Sequence, residues 1–259
     1  MNQPALTDLI RMAKQAGAIL KDGFSTDFQV EHKGLVDLVT DMDRLSEDYI
    51  LNEIRTHFPG DAIVTEESGS FTGDNGRQWF IDPLDGTVNY AHHLPIFSVS
   101  IAYAIGNQVQ LGVVYNPIMD ECFSAERGKG AWLNEKPICV AQAKTLVDAL
   151  LVTGFPYNIR EIEMNNVAIF SEFVMRAQGM RRLGSAALDC CYIAAGRLDG
   201  YWELGLKPWD IAAGGLIAEE AGARVTDFGG NPDYLKPPYT LCAANSVLHQ
   251  EMLEVLKVG

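Results

Sequence analysis

The chain has 259 residues, 47% hydrophobic and 21% charged, with 24 Gly and 11 Pro, a globular composition that excludes a disordered, collagenous or coiled-coil protein. A chain of this length buries roughly 70 to 75% of its unfolded surface, so its core needs no disulfide or structural metal, and it has room for one large domain or two lobes. Twenty Lys and Arg against 34 Asp and Glu leave a net charge of −14, which disfavours direct nucleic-acid binding and makes cations the better partners.

The first helix is predicted from Ala5 to Lys21, where Leu6, Leu9, Ile10, Ala13, Ile19 and Leu20 share one face, and Gly23 ends it. Asp8, Arg11 and Lys14 among those apolar positions mark an amphipathic helix and not a secretory signal peptide. A second helix is predicted from Asp41–Asp43 to His57, closed by Pro59-Gly60. Strands are expected at Ala62 to Val64, Trp79 to Ile81, Phe97 to Ile105, Val109 to Tyr115 and Glu121 to Ala125. The charge-free stretch from Leu94 to Met119 is broken by Pro95, Gly106-Asn107 and Pro117, so it reads as two buried strands around a turn and not as a membrane span.

After about Lys144 helices and strands alternate. Strands are predicted at Ala149 to Thr153, Gly200 to Glu203, Arg224 to Thr226 and Thr240 to Ala243. Helices are predicted at Glu163 to Gln178, Ser185 to Ala195 and Ile211 to Ala221, with a terminal helix last. A layered α+β chain follows, with an N-terminal lobe over 1–145 and a C-terminal lobe over 146–259. The five cysteines, Cys122, Cys139, Cys190, Cys191 and Cys242, are odd in number and form no CxxC pair. They read as buried free thiols of a cytoplasmic protein with no membrane association.

Carboxylates recur just beyond short apolar strands. Glu66 and Glu67 follow Ala62-Ile63-Val64-Thr65; Asp82-Pro83-Leu84-Asp85-Gly86-Thr87 follows Trp79-Phe80-Ile81; Asp210 follows Pro208-Trp209 at a helix start. Taken singly, Asp210 reads as a helix cap, Glu66-Glu67 as a solvated loop, and Asp82-Pro83 and Asp85-Gly86 as turns. Together they put several hard oxygen donors at the edge of a sheet, a set suited to Mg²⁺, and like charges that close repel without a cation between them. Thr87, if it opens a helix, adds a hydroxyl and backbone N–H groups that suit an anion beside the cation. The chain has no Walker loop, GxSxG elbow or HExxH motif.

The run from Trp79 to Asn89 resembles the first signature of the inositol monophosphatase family, and Lys207-Pro208-Trp209-Asp210-Ile211-Ala212-Ala213-Gly214 resembles the second. Thr65-Glu66-Glu67-Ser68, the segment from Asp37 to Asp43, and Gly184-Ser185-Ala186-Ala187 match further family segments in order, with bacterial inositol-1-monophosphatases the nearest in look. The resemblance implies a layered αβαβα sandwich, a homodimer, dependence on two to three Mg²⁺ ions and inhibition by lithium. It places one metal on Glu66, Asp82 and the carbonyl of Leu84 and a second on Asp82, Asp85 and Asp210, with Asp43 helping a weaker third ion and bonding Thr87. Thr87 and Glu66 would orient a metal-activated water, and the N–H groups of Gly86 and Thr87 would receive phosphate oxygens. Asp85, Ala186 and Glu203 would contact the hydroxyls of a small polyol, myo-inositol-1-phosphate first.

Fructose-1,6-bisphosphate, histidinol phosphate and adenosine 3′,5′-bisphosphate are the substrates of other members of the family, and the sequence shows no evident aromatic pair for stacking a base. Lys33 reads either as a residue approaching a metal-held ligand or as a surface residue, and Arg181-Arg182 either as an anion or partner contact or as a solvated pair. Some bacterial relatives imply a different class of function, in which the chain binds proteins of a transcription complex.

Overall fold

Helix α1 (Leu6–Phe24) buries Leu9, Met12, Ala13, Ala16 and Leu20 along one stripe at three- and four-residue spacing, as its sequence period predicts. Helix α2 (Asp41–His57) starts where Thr40 accepts hydrogen bonds from the N–H groups of Met42 and Asp43, and the two helices pack together. This computed structural model describes residues 3–26, 28–32, 34 and 37–257, so Lys33 lies outside the described residues. Strands β1 (Val30–His32) and β2 (Leu38–Thr40) form a small antiparallel pair between the helices. The sequence reading missed it, because three-residue strands are too short to show a period.

The first large sheet takes β3 (Ala62–Thr65), β4 (Gly69–Phe71), β5 (Arg77–Asp85), then, after helix α3 (Thr87–Ala91), β6 (Ser98–Ile105), β7 (Gln108–Asn116), β8 (Glu121–Glu126), β9 (Ala131–Leu133) and β10 (Lys136–Pro137). Its order is β10-β9-β8-β7-β6-β5-β3-β4, antiparallel except where β3 lies parallel to β5. The charge-free stretch is β6 and β7, an antiparallel pair around Gly106-Asn107. Among the described residues no helix is long and apolar enough to cross a membrane.

The second sheet is built from β11 (Leu150–Thr153), then α4 (Val167–Val174), β12 (Gly179–Arg181), α5 (Ala186–Ala194), β13 (Gly200–Glu203), α6 (Pro208–Glu220), β14 (Arg224–Thr226), β15 (Leu241–Ala244) and α7 (Ser246–Leu256). Its strand order is β12-β11-β13-β15-β14, with β11 parallel to both neighbours. Helices α1 and α2 cover one face of the first sheet, α5 and α6 fill the space between the sheets, and α7 with α4 covers the far side of the second. That is the five-layered α+β arrangement expected. Residues Ile211 to Ala218 of α6 are all buried, as a helix sandwiched between two sheets requires. A Cβ on Gly112 of β7 would lie 2.9 Å from the Ala213 carbonyl, so this glycine lets α6 approach the sheet.

Three expectations need correction. The strand at Trp79 to Ile81 runs on to Asp85, and a register shift between Asp82 and Asp85 absorbs Pro83, which has no N–H to give to the ladder. The helix expected over Glu163 to Gln178 spans only Val167–Val174, because Asn166 before it adopts φ +72. Four of the five free cysteines are buried, but Cys139 is exposed.

Candidate active site

The ends of β3 and β5, the starts of α3, α5 and α6, and the end of β13 meet around one cavity. Its lining includes Glu66, Asp82, Leu84, Asp85, Gly86, Thr87, Ala186, Glu203 and Asp210, so all but one of the predicted site residues are gathered there. Asp43, the exception, stands behind the cavity: it is fully buried, and one oxygen accepts from the Thr87 hydroxyl at 3.1 Å. Its other oxygen accepts from the N–H and hydroxyl of Thr40, at 2.8 and 2.6 Å.

Local turns set the other carboxylates. Asp82 Oδ1 accepts from the N–H of Leu84 at 3.0 Å. Asp210 Oδ2 accepts from the N–H of Lys207 at 2.7 Å, so this residue caps α6 and lines the cavity at once. Asp85 is held from the opposite half of the chain. Its carboxylate accepts from the Ser185 hydroxyl at 2.5 Å and from the N–H groups of Ala186 and Ala187 at 3.2 and 2.9 Å, the first turn of α5. Gly86 follows with φ +97 and opens α3 at Thr87. A Cβ there would sit 3.0 Å from the Ile96 carbonyl and 3.2 Å from that of Gly184, so the turn accepts only glycine without strain.

Burial and mutual repulsion push these acids upward. Asp82 is held well above the usual carboxylate range by desolvation, then by the charges of Glu66, Asp85 and Asp210 and a hydrogen bond shared with Glu66. Desolvation and Glu66 likewise raise Asp210. Asp85 rises only to about 6, because the bonds from Ser185 and α5 oppose its burial. Asp43 also rises to about 6, chiefly by desolvation. Glu203 rises to about 7 by burial, opposed by the Tyr201 hydroxyl that donates to it at 2.8 Å and by Arg182.

Among the described residues no three Asp, Glu, His or Cys side chains stand close enough together to form a finished metal cage. Backbone N–H groups take one oxygen each of Asp82 and Asp210 and both of Asp85. The donor chemistry nonetheless fits a hard divalent cation. Every candidate ligand is an oxygen, and a hydrogen bond between Asp82 and Glu66 requires a proton between two carboxyl groups whose repulsion a cation would relieve.

Several lining residues were not singled out from the sequence. Ser185 fixes Asp85; of the basic pair weighed in the sequence, both exposed, Arg182 lines the cavity and Arg181 bonds the Met180 carbonyl. Phe155, Pro156 and Tyr157 form a wall of it, so two aromatic rings do line the site although no pair was evident in the sequence. No local signal marks them, since β11 carries them in from beyond its end.

The model of the inositol monophosphatase family matches residues 1–257. A protein of Pasteurella multocida named Nus factor SuhB is 43% identical over 250 residues, covering 95% of this chain and 94% of that protein. The extragenic suppressor protein SuhB of Bartonella henselae superposes with a TM-score of 0.91 at 36% identity, over 98% of both chains. The inositol monophosphatase of Anabaena does so with 0.89 at 42% identity, over 98% of this chain and 95% of that one.

Proposed function

Since the chain belongs to the inositol monophosphatase family, we propose that it hydrolyses the phosphate monoester of a small polyol, most closely myo-inositol-1-phosphate, with Mg²⁺. The observation that carries this reading is the gathering of Glu66, Asp82, Asp85 and Asp210 around one cavity that the Gly86-Thr87 turn and Glu203 also line. Glu66, Asp82, the Leu84 carbonyl, Asp85 and Asp210 would hold the ions. When bound, Mg²⁺ supplies positive charge that neutralises the phosphate and the charge developing on the leaving oxygen.

The chain's own groups do the rest. The N–H groups of Gly86 and Thr87 receive phosphate oxygens at the start of α3. The Thr87 hydroxyl donates to Asp43, which leaves its lone pairs to accept a hydrogen bond from an attacking water and so orient it toward phosphorus. Glu66 stands beside it as the acceptor of the water's proton. Glu203 accepts hydroxyls of the polyol across the cavity, with Ala186 and Asp85 alongside. The homodimer, the lithium inhibition and a cytoplasmic location suited to five unpaired thiols belong to the same reading.

The test is phosphate release from inositol-1-phosphate, fructose-1,6-bisphosphate, histidinol phosphate and adenosine 3′,5′-bisphosphate, with Mg²⁺ and with EDTA. Mg²⁺-dependent turnover led by inositol-1-phosphate is expected; a different leading substrate would overturn the substrate assignment, and no turnover would overturn the activity. A second reading, a protein component of a transcription complex, is favoured by the name Nus factor that the Pasteurella relative carries. Retention of transcription proteins by an inactive Asp210→Asn variant would support it.

A further inference from the structure

Strands β11 and β13 run parallel with Thr153 opposite Trp202, so Gly154, the first residue beyond β11, comes beside Glu203, the last residue of β13, which lines the cavity and still pairs with Leu241 of β15. A Cβ built on Gly154 would lie 2.1 Å from Glu203 Oε1 and 2.3 Å from both Cδ and Oε2. The Glu203 carboxylate therefore lies across the bare α-carbon of Gly154. The backbone of Gly154 is outside the left-handed region, so conformation does not explain the glycine. The space taken by Glu203 does.

A buried asparagine fastens this arrangement. Asn166 is 2% exposed, and its Nδ2 donates to the Gly154 carbonyl at 2.6 Å and to the Thr153 hydroxyl at 2.9 Å. Its Oδ1 accepts from the indole N–H of Trp202 at 2.7 Å, and Thr153 in turn donates to the Trp202 carbonyl at 2.5 Å. Every polar group of the amide is used, and all its partners are the residues that place Gly154 and Glu203. The φ of +72 at Asn166 is the conformation in which one side chain reaches both strand ends. The wall beyond is tied to the same unit: Phe155 packs edge-on against Phe170 of α4 at 5.6 Å, and a Cβ on Gly205 would meet Pro156 at 2.9 Å.

We propose that Gly154 and Asn166 set the substrate discrimination of this site, Gly154 by leaving the space in which the Glu203 carboxylate lies and Asn166 by locking together the two strand ends that carry them. The proposal rests on the reading of Glu203 as the acceptor of substrate hydroxyls. Gly154 is a specificity residue and Asn166 a positioning residue, and neither acts on phosphorus. The three atoms nearest to a methyl group at Gly154 all belong to the end of the flexible Glu203 side chain, so Gly154→Ala displaces the carboxylate before it moves the strands.

The experiment compares Gly154→Ala, Glu203→Gln and the double variant on inositol-1-phosphate and on phenyl phosphate, whose leaving group has no further hydroxyl, together with a crystal structure of Gly154→Ala. Gly154→Ala is expected to raise KM for inositol-1-phosphate by about tenfold, the scale of one hydrogen bond to a charged group, with a much smaller change on phenyl phosphate and kcat preserved on both. In the double variant it adds nothing to Glu203→Gln, and the crystal structure shows the Glu203 carboxylate moved. An equal loss on both substrates, effects that multiply in the double variant, or an unmoved carboxylate would overturn the proposal. Should Glu203→Gln fail to discriminate between the substrates, the reading of Glu203 falls and the specificity assignment with it. Asn166→Gly keeps the left-handed backbone and deletes three hydrogen bonds; it should show the same KM ratio, and a folded variant with unaltered discrimination would overturn its part.

Discussion

Asp85 and Ser185 join the first sheet to the helices behind it, and Ser185→Ala measures that joint. The hydroxyl is 1% exposed, donates to Asp85 at 2.5 Å and accepts from the N–H of Leu188 at 3.4 Å as the cap of α5. A hydrogen bond to a carboxylate contributes about 1.5 to 3 kcal/mol, and a lost N-cap costs about 1 more. Asp85 keeps the N–H groups of Ala186 and Ala187 in the variant, so no buried charge is left bare. The expected loss is therefore about 3 kcal/mol, which for a chain of this size lowers the midpoint of thermal unfolding by roughly 6 to 12 °C. Urea denaturation followed by circular dichroism reads it directly, and a double-mutant cycle with Asp85→Asn should give a coupling energy of about 1 to 2 kcal/mol. A loss under about 0.5 kcal/mol, or strict additivity with Asp85→Asn, would refute the claim that this pair holds the two halves of the site together.

Gly86→Ala should destabilise the fold by about 2 to 4 kcal/mol, from its φ of +97 and from two backbone carbonyls within 3.2 Å of the new methyl; wild-type urea stability would contradict the turn geometry. Mg²⁺ at a hundredfold excess over its dissociation constant should stabilise the wild-type protein by about 2.7 kcal/mol, and Asp210→Asn should lose most of that gain; an equal gain in both would remove Asp210 from the ligand set. His249 is 1% exposed, its Nε2 meets the Thr226 hydroxyl at 2.9 Å, and its Nδ1 has no partner among the described residues. Burial, then Arg224, lowers its pKa to about 4, so the unfolded chain takes the proton first. Stability is complete above about pH 6.5 and falls as the pH drops toward 4, by about 2 to 3 kcal/mol in all. His249→Gln should flatten that part of the pH profile, and an unaltered profile would assign the acid sensitivity elsewhere.

The parts of the fold that were legible in the sequence are those where one local rule dominates. β6 and β7 announced themselves as apolar runs around Gly106-Asn107, and α2 by the Pro59-Gly60 that closes it. What was not legible depends on tertiary contacts. Apolar period alone extends α4 back to Glu163, but Asn166 stops it, because its amide is taken by Thr153, Gly154 and Trp202. The site divides in the same way. Glu66 follows a strand, Asp82 and Asp85 lie in the last stretch of β5, and Asp210 opens a helix, so a pattern of acids at element ends marks them. Gly154 and Tyr157 carry no such mark, since only the packing of β11 beside β13 brings Tyr157 to the cavity and Gly154 against Glu203.

Asp210 shows why the modest reading of an acid and the functional one need not compete. One of its oxygens closes the first turn of α6 on the N–H of Lys207, and that bond fixes the direction of the other. Asp82 does the same with Leu84, Asp43 with Thr40, and Asp85 with α5. Uncharged donors, backbone N–H groups together with the hydroxyls of Ser185, Thr40 and Thr87, hold these carboxylates without a neutralising side chain. They offset part of the repulsion and leave the rest visible in Asp82 and Asp210, whose affinity for protons stays far above the ordinary range. A site built this way keeps its shape while its charge remains uncompensated, and uncompensated negative charge in a fixed position is what a divalent cation binds. On the proposed reading of the acids as Mg²⁺ ligands, the turn residues that look structural, Leu84, Lys207 and Ala187, would belong to the binding machinery as much as the acids they hold.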